Sequence, residues 1–272
     1  MTGRAHPPLA LVTGGLRRVG AAIAADLAKA GWALALHGHS NCDPDDDLAD
    51  VLAAEGSVWH GFLADLADPA QSSGLMHAVI ARFGRAPDLL VNNASLFDYD
   101  DWHTITAASL HAHFAVNLVA PVLLSQALVA AAPAAGEAGP AQKPSIVNII
   151  DQRVRNPNGD QLSYTLSKQA LAEATRTLAR AFGARARVNA VAPGLTLPTA
   201  DYSLGQLQRL AERMPLGQLS APDDIARAVR FLAESSAVTG QLLFVDGGVH
   251  MLSLNRDFVF LDTDAGTAPP AE

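Results

Sequence analysis

The feature that most limits what this chain can become is the regular alternation of short apolar runs with alanine-rich, helix-forming stretches. Residues 9–13, LALVT, form an apolar run ending in glycines, and the AAIAADLAKAG that follows suits a buried helix stopped at Gly31. The same reading predicts strands over residues 33–37, 58–62 and 88–91, in IVNII and over 188–191. It predicts helices over 69–83, over 164–182 and through PDDIARAVRFLA. Strands separated by helices are joined by crossovers, so they lie parallel and carry helices on both faces. The predicted architecture is an α/β fold, a doubly wound parallel sheet of about seven strands, whose ligand crevice lies beyond the C-terminal strand ends. Residues 1–250 read as a single domain. Residues 251–272 read as an extension, polar and disordered in its last part, with an FVF run expected to bury against a neighbouring subunit.

Composition narrows the partners. A net charge of −8 with a pI near 5.5 disfavours nucleic acid and anionic membranes. Cys42 is the single cysteine, so no internal disulfide is available, which suits the cytoplasm. The N-terminal stretch has no apolar run of signal-peptide length, and the apolar run around 115–135 is interrupted by Asn117, Pro121, Ser125 and Gln126. No membrane span is expected. No metal site is read. His111 and His113 fall on different faces of a helix and are expected at the surface. The expected partner is a small molecule.

The loop TGGLRRVG carries Thr13, Gly14 and Gly20 to a helix start, where free backbone N–H groups and the helix dipole attract a pyrophosphate. This makes the sheet Rossmann-type. At the end of the second strand, a chain selecting NAD would place an acid on the ribose hydroxyls. This chain has His39, Ser40 and Asn41 there, with Arg17 supplying a cation, so NADP(H) is the expected cofactor. The acids Asp43, Asp45, Asp46 and Asp47 just beyond read as a solvated loop and helix start. Asp65, after the third strand, is placed to accept from an adenine amino group or to cap a solvated turn. Asn92, Asn93 and Ala94 follow the fourth strand and would line the crevice.

Tyr164 and Lys168 lie one helical turn apart in SYTLSK, so they share a face. A phenol needs a nearby cation to exchange protons near neutral pH, and the ammonium supplies one. Pro121 withholds the N–H that would bond the Asn117 carbonyl. That carbonyl either holds a water against Lys168 or marks a plain kink.

With TGGLRRVG, NNA, Asn117, YTLSK and Pro193–Gly194 in this order, the chain resembles the short-chain dehydrogenase/reductase family over residues 8–250. The resemblance implies that Tyr164 is the proton donor, that Lys168 lowers its pKa and holds the nicotinamide ribose, and that Asn117 completes a proton relay. It implies that Thr13, Gly14, Arg17, Gly20, Asn93, Ala94, Pro193 and Gly194 hold the cofactor. Two residues depart from the general pattern: Arg18 stands where the family has a third glycine, and Asp151 where it has a serine. Together with NNASLF and APGLTLP they resemble the pteridine reductases within the family. That subgroup implies that Phe97 stacks on a pterin ring, that Ser95 and Arg18 contact its polar edge or the phosphates, and that Asp151 works with Tyr164. Asp151 as a turn residue in a ketone or ketoacyl reductase, and Phe97 as plain core, are the alternatives. A nucleotide-binding sensor is a third. Residues 194–215, with Leu195, read as a lid over the crevice, and self-association to a homotetramer is expected through the 164–182 helix.

Overall fold

The structure is a computed structural model and describes residues 6–132, 143–197 and 202–263. Part of the expected lid, 198–201, and the polar end of the chain, 264–272, lie outside the described residues, as does most of the loop 136–144. The strands are β1 Leu9–Thr13, β2 Ala33–Gly38, β3 Trp59–Leu63, β4 Leu89–Asn92, β5 Ser145–Ile149, β6 Arg187–Pro193 and β7 Leu242–Val245. They form one seven-stranded sheet of order β3-β2-β1-β4-β5-β6-β7, and every neighbouring pair is parallel. The predicted strand bounds hold to within a residue or two.

Because successive strand side chains point to opposite faces, β1 feeds two cores. Ala10 and Val12 enter one layer, with Ile23 and Leu27 of α1 (Arg18–Lys29) and Val229 and Leu232 of α8 (Pro222–Glu234). Leu9 and Leu11 enter the other, with Leu75 and Val79 of α3 (Pro69–Phe83) and Leu124 and Leu128 of α5 (Ala120–Ala131). A strand covered on both faces reads as a continuous apolar run, which is why LALVT shows no alternation. Short helix α2 (Asp46–Ala54) is capped by the Asp45 side chain, which accepts from the Leu48 N–H, so the acid run there is a helix start.

Helix α4 (Ala107–Phe114) continues into α5 through a single π turn, Ala115–Val119, in which the Ala120 N–H bonds the Ala115 carbonyl. The kink expected from Pro121 is therefore absorbed as a π bulge that buries Asn117 completely. The stretch Ala107–Ala131 is long and apolar enough by length and composition to cross a membrane, with mean hydropathy 1.9. Here Leu124 and Leu128 are spent on the sheet. His113, expected at the surface, is buried: its Nδ1 meets the Ser109 carbonyl and its Nε2 accepts from the Asp98 N–H.

The long helix α6 (Leu162–Phe182) starts after Gln161, whose φ of +45° turns the chain sharply into it. Helix α7 (Leu204–Arg213) packs Leu210 against Met214, Val249 and Phe258. Phe258 of the FVF run thus folds onto its own chain, while Val259 and Phe260 stay partly exposed.

Glycines test this packing in two directions. A Cβ at Gly20 would overlap the Gly14 carbonyl oxygen, whereas one at Gly74, inside α3, would meet nothing within 4 Å. Thermal unfolding should show Gly74→Ala gaining about 0.5–1 kcal/mol. Gly20→Ala should lose more than about 2 kcal/mol, because backbone has to move. Equal effects would show that the glycine loop is not tightly packed.

Candidate active site

The crevice opens where the sheet order reverses, between β1 and β4. Thr13 Oγ1 accepts from the N–H groups of Asn93, at 2.9 Å, and Ala94, at 3.0 Å. Asn93 Nδ2 returns to the carbonyls of Thr13, at 3.0 Å, and Gly14, at 3.1 Å. These bonds fasten the loops after the two strands together and leave a cleft of about 1180 Å³ beside them. Gly14, Arg17, Arg18 and Gly20 line its floor; His39, Ser40 and Asn41 line the end beyond β2; Asn93, Ala94 and Ser95 line the β4 side; Pro193, Gly194 and Leu195 line the β6 side. Sequence reading collected these residues, and the structure brings them to one cavity. Asp43 and Asp45 also reach it.

Three expected cofactor residues stand apart from the cleft lining: Thr13, Asp65 and Lys168, the last buried below Tyr164. Thr13 is buried beneath the loops it clamps. Asp65 caps its own turn, accepting from the Ala67 N–H at 2.9 Å, and lies 3.9 Å from His39. The turn-capping alternative accounts for its contacts.

Arg18 has φ +56°, in the left-handed region. The family's third glycine suits that conformation, whereas an arginine there costs about 1–2 kcal/mol. Its side chain stands exposed at the cleft mouth.

At the inner end, Tyr164 is 7% exposed and its hydroxyl donates to Asp151 Oδ2 at 2.9 Å. Asp151 is held from behind by the Arg153 N–H, which donates to its Oδ1 at 2.8 Å. Lys168 is buried, donates to the Ile149 carbonyl at 2.8 Å and sits 5.6 Å from the Tyr164 ring centre. The group at the phenol oxygen is therefore a carboxyl rather than an ammonium. Burial first, then the Asp151 charge, push the phenol well above its ordinary pKa, while Arg153 pulls it down. Burial lowers the Lys168 ammonium to about 8, with Asp151 acting against it. Asp151 and Arg153 are the charges that act most strongly on the phenol, with Lys168 below its ring.

Asn117 acts through its side chain. Nδ2 donates to the Leu96 carbonyl and Ser167 Oγ, both at 2.9 Å, and Oδ1 accepts from the Leu96 N–H at 2.8 Å and from Ser95 Oγ at 3.1 Å. It thereby pins the SLF segment to α6. Phe97, next in line, is 52% exposed and meets the Tyr164 ring edge-on, with centres 4.6 Å apart at 88°. It is not core.

Residues that the sequence reading missed complete the walls: Tyr99, Arg153, Asp257, Val259 and Phe260, joined by Tyr202 of the expected lid. Tyr99 packs edge-on against Phe260, centres 5.8 Å apart. The available signal was an arginine two positions after Asp151 and an aromatic run near the chain end, and neither carries a motif.

Comparison with known proteins agrees with this geometry. A family model described as enoyl-(acyl carrier protein) reductase matches residues 15–250. The chain is 40% identical to FolM alternative dihydrofolate reductase 1 from Brucella suis, solved in complex with NADP, over 90% of this chain and 96% of that one, with a TM-score of 0.79. It is 32% identical to an uncharacterized oxidoreductase of Methylorubrum extorquens over 89% of this chain and 97% of the relative. It is 30% identical to the 3-oxoacyl-[acyl-carrier-protein] reductase FabG of Escherichia coli over 90% and 98%. A seven-stranded parallel sheet, a glycine loop at its switch point and a buried Tyr164–Lys168 pair accompany these matches, and the chain belongs to the short-chain dehydrogenase/reductase family of oxidoreductases.

Proposed function

We propose that this chain is an NADPH-dependent reductase of a pteridine, of dihydropterin or dihydrofolate type. The observation that carries the reading is the hydrogen bond from Tyr164 to the carboxyl of Asp151, beneath a half-exposed Phe97. A serine hydroxyl at position 151 would suit a developing alkoxide, whereas reduction of a ring C=N needs a proton on nitrogen. A phenol and a carboxyl sharing a proton can deliver one and be refilled from Lys168, one turn below. The likeness to FolM alternative dihydrofolate reductase 1 supports the same substrate class.

The residues present fit a dinucleotide phosphate. A Cβ at Gly14 would come within 3.2 Å of Ala94 Cα and of Asn93 Nδ2, so glycine lets the loop lie close against the β4 side of the cleft. Gly14 and Gly20 would cradle the pyrophosphate, and Arg17, with His39, Ser40 and Asn41, would hold the 2′-phosphate. Asn93, Ala94, Pro193, Gly194 and Lys168 would hold the nicotinamide half. NADPH bound there supplies a hydride. Tyr164 gives the substrate nitrogen its proton, Asp151 orients the phenol, Phe97 offers a face to a flat ring, and Ser95, Arg18 and Leu195 bound that ring's edge. Residues 1–250 serve as one catalytic domain, in a cytoplasmic homotetramer with α6 at one interface.

The 3-oxoacyl reductases among the relatives favour a second reading, reduction of ketones or ketoacyl thioesters. NADPH oxidation across dihydropterins, dihydrofolate and ketoacyl thioesters separates the two. Tyr164→Phe should lower kcat by about 100-fold or more with NADPH binding intact, the usual worth of a positioned general acid. Phe97→Ala should raise the pterin KM up to about tenfold with less effect on kcat. Asp151→Ser should impair pterin reduction more than ketone reduction, and full pterin turnover in that variant would remove the carboxyl's role. For the cofactor, Arg17→Ala should weaken NADPH about tenfold or more in a fluorescence titration and leave NADH unchanged, as expected for loss of a charged hydrogen bond. Equal weakening of both would place Arg17 elsewhere.

A further inference from the structure

The geometry points to Arg153 as a positioning residue for the Tyr164–Asp151 pair, with its charge shared out by Asp257 of the chain's own C-terminal segment. The inference rests on the proposed roles of Tyr164 and Asp151 as proton-delivering groups, and extends the site to a segment beyond the family match, which ends at residue 250.

Arg153 is 4% exposed, yet it touches the cleft wall. Its guanidinium carbon lies 5.6 Å from the Phe97 ring centre and 5.7 Å from that of Tyr164. Nη1 donates to Gln161 Oε1 at 2.7 Å, Nη2 donates to Asp257, and Nε lies 3.8 Å from Asp151 Oδ1. One buried cation thus stands between two carboxylates. One of them, Asp257, is 4% exposed and acts on the phenol through its charge; the other bonds the hydroxyl. A buried guanidinium of this kind is held by its partners, and removing either leaves a charge uncompensated.

Asp257 is held just as firmly. Its N–H donates to Asp160 Oδ2 at 2.6 Å, the same carboxylate accepts from Arg256 Nε at 2.9 Å, and Phe258 is buried beside Leu210. From α7, Gln206 Nε2 donates to the carbonyls of Phe258, Val259 and Leu261, at 3.3, 3.2 and 2.7 Å. The segment is therefore strapped to the helix over the crevice, and it carries a charge that competes with Asp151 for Arg153. Besides Asp151, Tyr164 and Lys168, the charged or titratable groups around this pair are Asp160, Arg256 and Tyr202.

The consequence is opposite in sign for the two partners. The donor has to be protonated, so kcat falls as pH rises through the apparent pKa of the Tyr164–Asp151 pair. Asp257→Asn leaves the cation unshared and should move that limb to lower pH by about one to two units, the effect of one charge roughly 6–12 Å away at a dielectric of about 20. Arg153→Met should move it to higher pH by a similar amount, and the double variant Arg153→Met/Asp257→Asn should bring it back near the wild-type position. Limbs that move the same way in both single variants, or do not move, overturn the inference. Where a single variant fails to fold, Arg153→Lys decides: it keeps the charge but not the fork, so the limb should stay and kcat should fall about tenfold, while unchanged kcat overturns the positioning role. The profiles are taken on a dihydropterin. If no pterin is turned over, the proposed substrate class has failed, and the same profiles taken on a ketone still decide the part played by Arg153.

Discussion

The clamp between the ends of β1 and β4 is the constraint on which the rest of the structure hangs. Two parallel strands leave polar backbone groups unpaired at their C-terminal ends, where the helices diverge, and buried groups of that kind must find partners. Thr13 and Asn93 satisfy them across the switch point with four hydrogen bonds. This holds the glycine loop against the NNASLF segment and fixes both walls of the cleft at once. Asn117 repeats the device further out, tying the same segment to α6, so that Phe97 and Tyr164 keep their edge-on contact. The floor and the inner end of the site are thus parts of one connected frame.

Within that frame the chemistry depends on how buried charge is distributed. A phenol next to a carboxylate in a poorly solvated site is a weaker acid than a free phenol, and the direction of the Tyr164 shift reflects that. Arg153 opposes the effect from one side and Lys168 waits below with its own affinity for protons reduced. Two strongly buried cations and two carboxylates around one hydroxyl would each be expensive alone. They persist because each has a bonded partner: Asp151 with Tyr164 and the Arg153 N–H, Arg153 with Asp257 and Gln161, Lys168 with the Ile149 carbonyl.

Much of this was legible in the sequence, and the reason is local. Strand and helix positions follow from apolar runs and breakers within a few residues, so LALVT, IVNII and the helix over 69–83 could be read directly. The glycine loop, Tyr164 and Lys168 carry fixed spacings that survive any packing detail. What could not be read were partners set by the fold alone. Asn117 was read through its backbone, because Pro121 is four residues away, whereas its side chain bonds Leu96 and Ser167 across the cleft. The Arg153–Asp257 contact spans 104 residues and leaves no trace in local pattern. His113 looked like a surface residue until α4 turned it toward Asp98.

Arg18 shows how such a site departs from the pattern of its relatives without losing the fold. A glycine at this turn adopts a positive φ at no steric cost, and an arginine does not. The chain nevertheless keeps φ +56° there, because the turn is dictated from both sides: by Gly14, fastened to Asn93 before it, and by α1 packed on α8 after it. The strain is small against the burial of α1, so the backbone holds and the side chain is free to be chosen for what faces the cleft. The position therefore exchanges about 1–2 kcal/mol of local backbone ease for a cation at the cleft mouth. Asp151 makes a comparable exchange at the inner end, where a carboxyl stands in place of the family's hydroxyl and is held by the Arg153 N–H behind it. Both departures put an ionisable group where the family has a small neutral one, at opposite ends of one cleft, which is the physical sense in which they belong together.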